Sequence, residues 1–251
     1  MVTNWNRTDY ELACSFDKDL ALYKTQPYKR NAQPLPAPYP EDFNSPLLNF
    51  STPFVDIRYR WGLELVAAEI LDSVRDLTVS VLSSSLPYCK FSTSDILTKA
   101  HSIHSQLLTS YLPHSSNPTT ETSLITATIH HAAIFYVTSI TSLTPLSSLN
   151  SQSDFHPPTI QQRFQSALCA VPLSRWKQLP GIFLWILLVA CPSCKYDPIG
   201  WFIKGQLSVT AVSMSAEDFD LARSCLDGFW RVGAWVRNSA ACQLRLDPLN
   251  N

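Results

Sequence analysis

Glycine and charged residues are scarce in this chain of 251 residues. Only 6 glycines are present, which argues against the glycine-rich loops that cradle nucleotide phosphates and against a turn-rich sandwich or barrel. Charged residues make up 16% of the sequence, compared with about 25% in an average soluble protein. Since 45% of the residues are apolar, much of the chain is expected to lie in a core built from long helices.

Net charge is also lacking, because 19 basic residues nearly balance 20 acidic ones. A chain without a positive field does not attract phosphate backbones, so direct nucleic-acid binding is not expected. The first residues include acids where a secretory signal peptide would be apolar, which predicts an intracellular protein. Seven cysteines, an odd number scattered along the sequence, suit reduced core thiols better than a disulfide framework.

The motifs that mark common enzyme classes are missing too. The sequence contains no GxSxG elbow, HExxH helix, Walker loop or GxGxxG turn, and these motifs are signatures of hydrolases, metalloproteases and nucleotide enzymes. We therefore assign no catalytic residue, no metal ligand and no cofactor-binding residue. The protein is predicted not to be an enzyme.

Proline is concentrated near the amino terminus, with seven prolines in residues 27–53. Proline removes a backbone donor and blocks both helices and central strands. Residues 1–53 are therefore predicted to form an irregular proline-rich arm. Residues 54–247 are predicted to form one all-α, bundle-like domain.

The longest apolar run is Leu179–Cys191, LPGIFLWILLVAC. It is shorter than the 18 or more residues that a membrane span needs, and Pro192 stops it. An apolar helix without a solvent face is expected at the centre of a helical domain. A second segment, residues 124–143, has no charged residue and the length of a span, but its hydroxyl side chains and His130–His131 favour a buried helix over a membrane helix.

Hydrophobic spacing and capping residues predict the other helices. These are residues 54–86, 92–113 beginning at a Ser92/Asp95 capping box, 121–143, 159–172, a helix from residue 198, and a last helix after a Ser215/Asp218 capping box. In the helix over 54–86, Tyr59 and Val66 are expected on the apolar face and Asp72 and Asp76 on the charged face. The last helix carries apolar and small residues three and four apart, typical of a packing seam: Phe219, Ala222, Leu226, Phe229, Gly233, Val236 and Ala240.

Two clusters have residue types that can support chemistry. Cys191 and Cys194 are two residues apart, as in redox pairs and half zinc sites, but they follow the carboxyl end of a helix, where the helix dipole disfavours a thiolate. His101 and His104 share one helix face and His130–His131 lie on another helix, which is conceivable as a two-helix metal site. No carboxylates accompany these histidines, so hydrogen-bonded structural roles are favoured for both clusters.

Aromatic residues are frequent in the last third of the chain. They are Trp176, Trp185, Trp201, Phe202, Phe219, Phe229, Trp230 and Trp235. Such rings can line a small-molecule pocket between helices, but packing within the core is the favoured interpretation.

The order of these aromatic residues and the apolar run resembles the carboxyl-terminal part of a known family. The residues that carry the resemblance are Trp176, Leu179–Gly181, Phe183–Leu188, Trp201–Phe202, Phe229–Trp230 and Trp235. In helix order and aromatic placement, residues 120–243 resemble the fungal-specific transcription factor regulatory domain.

The resemblance implies a nuclear protein that controls transcription through a helical domain. Such a domain is expected to form a homodimer, to bind other transcription regulators or to sense a small-molecule inducer. Family members also carry a six-cysteine binuclear zinc cluster that reads DNA. Nothing before residue 120 has the Cys-x2-Cys-x6-Cys half of that cluster, so the chain resembles a regulatory module without the DNA-binding part.

Two alternatives stay open. In a helical isoprenoid-processing enzyme, Asp72 and Asp76, one helical turn apart, would hold magnesium in front of an aromatic cavity. In a non-catalytic helical scaffold, the seam around Gly233 would mediate association. A structure separates these alternatives by where it places the two carboxylates and the seam.

Overall fold

The computed structural model of the chain describes residues 13–14, 44–49, 52–84, 92–110, 120–149, 158–194, 198–217 and 219–246. Within these ranges the chain forms nine α-helices and no β-strand. The predicted all-α fold class is therefore confirmed. Most of the predicted proline-rich arm lies outside the described residues, and its described part at residues 44–49 is irregular and largely buried.

The helices follow one another along the chain with short connections. They are α1 Phe54–Trp61, α2 Leu65–Ser84, α3 Thr93–Ser110, α4 Glu121–Thr141, α5 Pro158–Ala170, α6 Leu173–Trp176, α7 Pro180–Ala190, α8 Pro198–Glu217 and α9 Phe219–Leu246. Short 3-10 helices lie at Leu146–Ser148 and Cys191–Ser193. The Ser92/Asp95 capping box is confirmed, because each residue accepts the other's backbone N–H ahead of α3.

Helix α7 is the predicted central helix. Every residue from Gly181 to Ala190 is buried, and the helix packs against α4, α8 and α9. A helix surrounded on all sides gains from each apolar side chain, at about 25 cal/mol for each Å² removed from water. The buried apolar helix expected over this run is confirmed.

Helix α4 is the second central element, in contact with α2, α3, α5 and α7. Among the described residues, it is the one helix long and apolar enough to cross a membrane, yet 78% of its most apolar window is buried inside the protein. Thr120 caps its amino terminus in a capping box with Ser123. The expectation of a buried helix here is confirmed.

Tyr136 connects α4 to the other central helices. Its ring meets Trp185 edge-on at a centroid distance of 6.1 Å and stacks on Phe229 at 6.3 Å. Its hydroxyl lies 2.9 Å from Thr78 Oγ1. Because the Thr78 hydroxyl donates its proton to the Val74 carbonyl, Tyr136 is the donor in this pair. Burial raises the pKa of Tyr136 above its usual range, so the phenol keeps that proton.

The predicted single helix over residues 54–86 is wrong. The chain breaks at Gly62, which has a left-handed backbone with φ of 58° and closes the end of α1 by donating to the Tyr59 carbonyl. Glycine adopts this conformation without the clash that a Cβ creates. The break rotates the following helix, so Tyr59 and Val66 are exposed instead of sharing an apolar face.

The predicted capping box at Ser215 is also wrong. Ser215 lies inside α8, and its hydroxyl donates to the Ala211 carbonyl one turn earlier. This bond is a common use of serine within a helix. Its predicted partner, Asp218, lies outside the described residues.

The amino terminus of α7 is capped by a residue far away in the sequence. Asn44 Oδ1 accepts the backbone N–H of Gly181 at 3.0 Å and that of Ile182 at 3.3 Å. The segment carrying Asn44 and Ser45 is itself buried. A Cβ on Gly181 would lie 2.8 Å from backbone atoms of both residues, so glycine is required for this close approach.

We expect Gly181→Ala to destabilise the fold, because the added methyl group has to displace backbone atoms of the capping segment. Asn44→Ala should cost about 1–2 kcal/mol, the usual range for a lost helix cap. Urea unfolding followed by circular dichroism measures both effects. Gly228→Ala is the matched control, since a Cβ there meets its nearest neighbour, the Leu47 carbonyl oxygen, at 3.4 Å. Equal unfolding midpoints for the two glycine variants would contradict the proposed crowding.

Candidate interaction surface

Helix α8 has an apolar face that no described part of the chain covers. We call this the α8 outer face and define it by its exposed residues: Ile199, Trp201, Phe202, Gly205, Ser208, Val209, Val212, Ser213 and Ala216. They recur every three or four residues, which places them on one side of a helix. Trp201 is 62% exposed and Val209 is 57% exposed.

The opposite side of α8 holds the helix on the protein. Ile203, Leu207, Ala211 and Met214 are buried, and α8 packs mainly on α7 and α9. Both sides of the helix are therefore apolar, although a surface helix normally has one polar side. Burial of the inner side accounts for the folding of α8 but not for the composition of its outer side.

The α8 outer face contains no charged residue. In the 20 residues of α8, the charged side chains are Lys204 and Glu217. Lys204 is half-buried beside the face, and Glu217 is the last residue of the helix. Neither residue belongs to the face.

Exposed large apolar residues elsewhere in the described ranges are more scattered. They are Tyr59, Leu65, Val66, Leu108 and Leu173, spread over α1, α2, α3 and α6. Exposed apolar residues that occur singly are normal on a protein surface, whereas a contiguous patch indicates an interaction site. By this criterion, the α8 outer face is the candidate functional surface.

The aromatic residues of the last third divide into two groups. Trp176, Trp185, Phe229 and Trp230 are buried, and Trp176 stacks on Phe183 with ring centroids 5.0 Å apart. The predicted core packing is confirmed for this group. Trp201 and Phe202 are exposed on the α8 outer face, so they contribute to a surface instead of an internal pocket.

The one cavity described in detail lies between α4 and α9, beside Tyr136, Phe229 and Gly233. Its volume is about 30 Å³, enough for about two water molecules. A small-molecule inducer does not fit a space of this size. The predicted inducer therefore stays a prediction without a site in this cavity.

The predicted seam of the last helix faces inward. Ala222, Leu226, Phe229 and Val236 are buried in the core, and α9 packs on α2, α7 and α8. The scaffold alternative assigned association to this seam around Gly233. In the described structure, the chain's own helices occupy it.

Asp72 and Asp76 do not form the acidic pair that the isoprenoid-enzyme alternative needs. The Asp72 carboxylate accepts the backbone N–H groups of Phe54 and Val55 at 2.9 and 3.1 Å, and pairs with Arg75 at 2.7 Å. It therefore caps α1 and fastens it to α2. Asp76 is exposed, and the described residues hold no group of three or more His, Cys, Asp or Glu that could bind a metal ion.

The histidines have structural partners. His130 Nε2 lies 2.9 Å from the Leu107 carbonyl and His131 Nδ1 lies 2.6 Å from the Ala127 carbonyl. Since a carbonyl only accepts, each of these ring nitrogens carries the proton. His104 Nε2 pairs with the Thr138 hydroxyl at 3.1 Å, and His101 is exposed. The predicted structural roles of His104, His130 and His131 are confirmed.

Burial makes these histidines resist protonation. Burial lowers the pKa of His131 to about 4, against the opposing effect of its bond to Ala127 and with further lowering by His130 and Arg163. Burial also lowers the pKa of His130 and that of His104, the latter with help from the neighbouring charge of His101. The folded protein therefore holds these imidazoles neutral.

The paired cysteines follow the carboxyl end of α7, as predicted. Cys191 is buried, and Cys194 donates its thiol proton to the Ala190 carbonyl at 3.2 Å. Both are free thiols. This position lacks the helix amino terminus that lowers the pKa of redox-active thiols.

No protein-family model, curated protein or solved structure matches this chain.

The residues of the α8 outer face were not identified as a surface from the sequence. The signal that could have found them is the apolar content of α8 on both of its sides, with Lys204 as the one charge before Glu217. Trp201 and Phe202 were noticed only as aromatic residues. Whether such a helix is central or superficial depends on what packs against it.

We expect acid to destabilise the fold through His131. Its folded pKa is about 4, below the unfolded value of about 6.5, so the unfolded chain binds more protons between these values. Stability is fully present above about pH 6.5 and falls as the pH decreases toward 4. Between about pH 7 and pH 5, His131 should account for a loss of about 2 kcal/mol. His131→Phe should flatten this dependence in urea unfolding, whereas the exposed His101→Phe should keep the wild-type slope.

We expect Asp72→Ala to destabilise the protein by about 1–3 kcal/mol, because it removes the α1 cap and leaves the buried Arg75 without its carboxylate partner. Asp76→Ala, an exposed change on the same helix, should stay within about 0.5 kcal/mol of wild type. Thermal and urea unfolding compare the two variants. Similar losses in both would show that Asp72 does not have the capping role assigned to it.

Proposed function

We propose that this chain is a non-catalytic helical interaction domain that regulates transcription through protein association, in the manner of fungal zinc-cluster regulatory domains. The observation that carries the proposal is the α8 outer face, a charge-free apolar surface on a helix already anchored by its other side. The order of helices and aromatic residues that resembles the regulatory domain supports the transcriptional part. A nuclear location follows from the same proposal.

The arrangement of titratable groups also supports a binding role over a catalytic one. The histidines and the carboxylate examined as candidates have structural partners: His130 and His131 pair with helix carbonyls, and Asp72 caps α1. A general acid or base has to reach a substrate proton, and these groups are occupied in holding helices together. Association through an apolar surface needs no such group.

Regulation by such a domain works through a shift between states. A protein that binds the α8 outer face stabilises the state in which the face is covered, in proportion to its differential affinity for that state. Because α8 packs on α7 and α9, binding at α8 acts on helices of the core. DNA contact would be supplied by another segment or protein.

The proposal is tested by fusing the full chain to a heterologous DNA-binding domain that does not itself change transcription, and by measuring a reporter in fungal cells. We expect the fusion to change reporter output and Val209→Glu, in the centre of the α8 outer face, to return it to the level of the DNA-binding domain alone. Val66→Glu is the matched control, because Val66 is similarly exposed but lies on α2. It should behave as wild type at equal protein level.

A fusion that leaves the reporter unchanged would overturn the transcriptional role. If the same chain still associates through α8, the non-catalytic scaffold is the remaining interpretation. An equal loss of reporter effect in Val66→Glu would also contradict the assignment of the α8 outer face.

A further inference from the structure

We infer that the α8 outer face binds the same face of a second copy of this chain, with the two α8 helices antiparallel across a two-fold axis. This inference rests on the proposed function for its surface and adds the partner and its orientation. It is carried by the charge, the shape and the size of the face.

Charge is the first reason to choose a second copy. A two-fold interface brings identical surfaces together, so any charge on the surface meets its own sign. The α8 outer face contains no Asp, Glu, Lys or Arg among its nine residues, so like-charge repulsion does not oppose pairing with itself. A partner recognised through charge would leave opposite requirements that this face does not provide.

Shape is the second reason, and it also gives the orientation. The amino-terminal part of the face is bulky, with Ile199, Trp201 and Phe202, and the rest is small, with valines, serines and alanine. Near the middle, a Cβ on Gly205 would have nothing within 4 Å, so a neighbouring helix can approach closely there. Antiparallel pairing places the bulky end of each copy against the small end of the other.

The register follows from the position of the open centre. With the two-fold axis at the level of Leu207, Phe202 of one copy faces Val212 of the other and Gly205 faces Val209. A parallel arrangement would instead set Trp201 against Trp201 and leave a gap between the small ends. Close packing of side chains favours the antiparallel arrangement, because gaps forfeit contact energy.

The size of the face predicts a reversible dimer. A helix of 20 residues is about 30 Å long and about 10–12 Å wide, so one face offers on the order of 300 Å² for each copy. Stable interfaces bury about 800 Å² for each partner. The dimer is therefore expected to form and dissociate with concentration, and the monomer has its own extensive core.

Sedimentation equilibrium of the full chain over a wide concentration range tests the partner. We expect the average mass to rise from 28.2 kDa toward twice that value. Val209→Glu should keep the mass of a monomer, and Val66→Glu should associate as wild type does. Circular dichroism confirms that each variant is folded. A folded wild-type chain that stays monomeric at every concentration would overturn the inference.

Cysteine cross-linking tests the orientation, in a background where the exposed Cys169 and Cys242 are serine. Ser208→Cys lies next to the two-fold axis and should form a disulfide-linked dimer under mild oxidation, more than the background chain does. Ala216→Cys lies at the end of the face and should cross-link only if the helices are parallel. Efficient cross-linking through position 216 would therefore refute the antiparallel arrangement.

A complementary pair of variants checks the register without disulfides. Phe202→Glu and Val212→Lys should each lose self-association, and an equimolar mixture should regain dimer because the new charges face each other. Failure of the mixture to associate would exclude this register. A dimer without reporter activity would overturn only the proposed transcriptional role, and reporter activity in a strict monomer would overturn only the dimer.

Discussion

The burial of α7 on all sides is the constraint on which the rest of the fold depends. A helix that reaches no water at its first turn needs protein acceptors for its free N–H groups, since a buried unpaired amide costs about 1–3 kcal/mol. Asn44 supplies that acceptor to Gly181 and Ile182, and Gly181 leaves room for the segment that carries it. The central helix and a segment more than a hundred residues earlier therefore stabilise each other.

The other central helices are arranged around this constraint. Helix α4 packs on α7 from one side and α9 from another, and Tyr136 joins them through its contacts with Trp185 and Phe229. Its hydroxyl is satisfied by Thr78 on α2. Polar groups in this core are few and paired, so they specify which helices are neighbours while the apolar side chains supply most of the burial energy.

Local patterns in the sequence predicted the features that depend on local physics. The composition of α7, the Ser92/Asp95 box and the buried α4 were predicted because hydrophobicity and capping act within a few residues. The break at Gly62 was missed because apolar spacing continues across it, and the glycine was treated as one residue of a helix. The roles of Asn44 and Asp72 depend on partners 137 and 18 residues away, and a single sequence does not show such pairs.

Helices α7 and α8 show why the candidate surface was harder to predict than the core. Both are apolar around most of their circumference, and composition alone assigns both to the interior. The structure separates them by position: α7 is enclosed by α4, α8 and α9, whereas α8 has its main contacts with α7 and α9 on one side. Exposed Trp201 and Val209 make no contribution to folding that a polar residue could not replace, and they carry a cost in solubility. A surface that is apolar without need for the fold is best explained by a partner that covers it, and a surface without charge restricts that partner to one that is equally apolar.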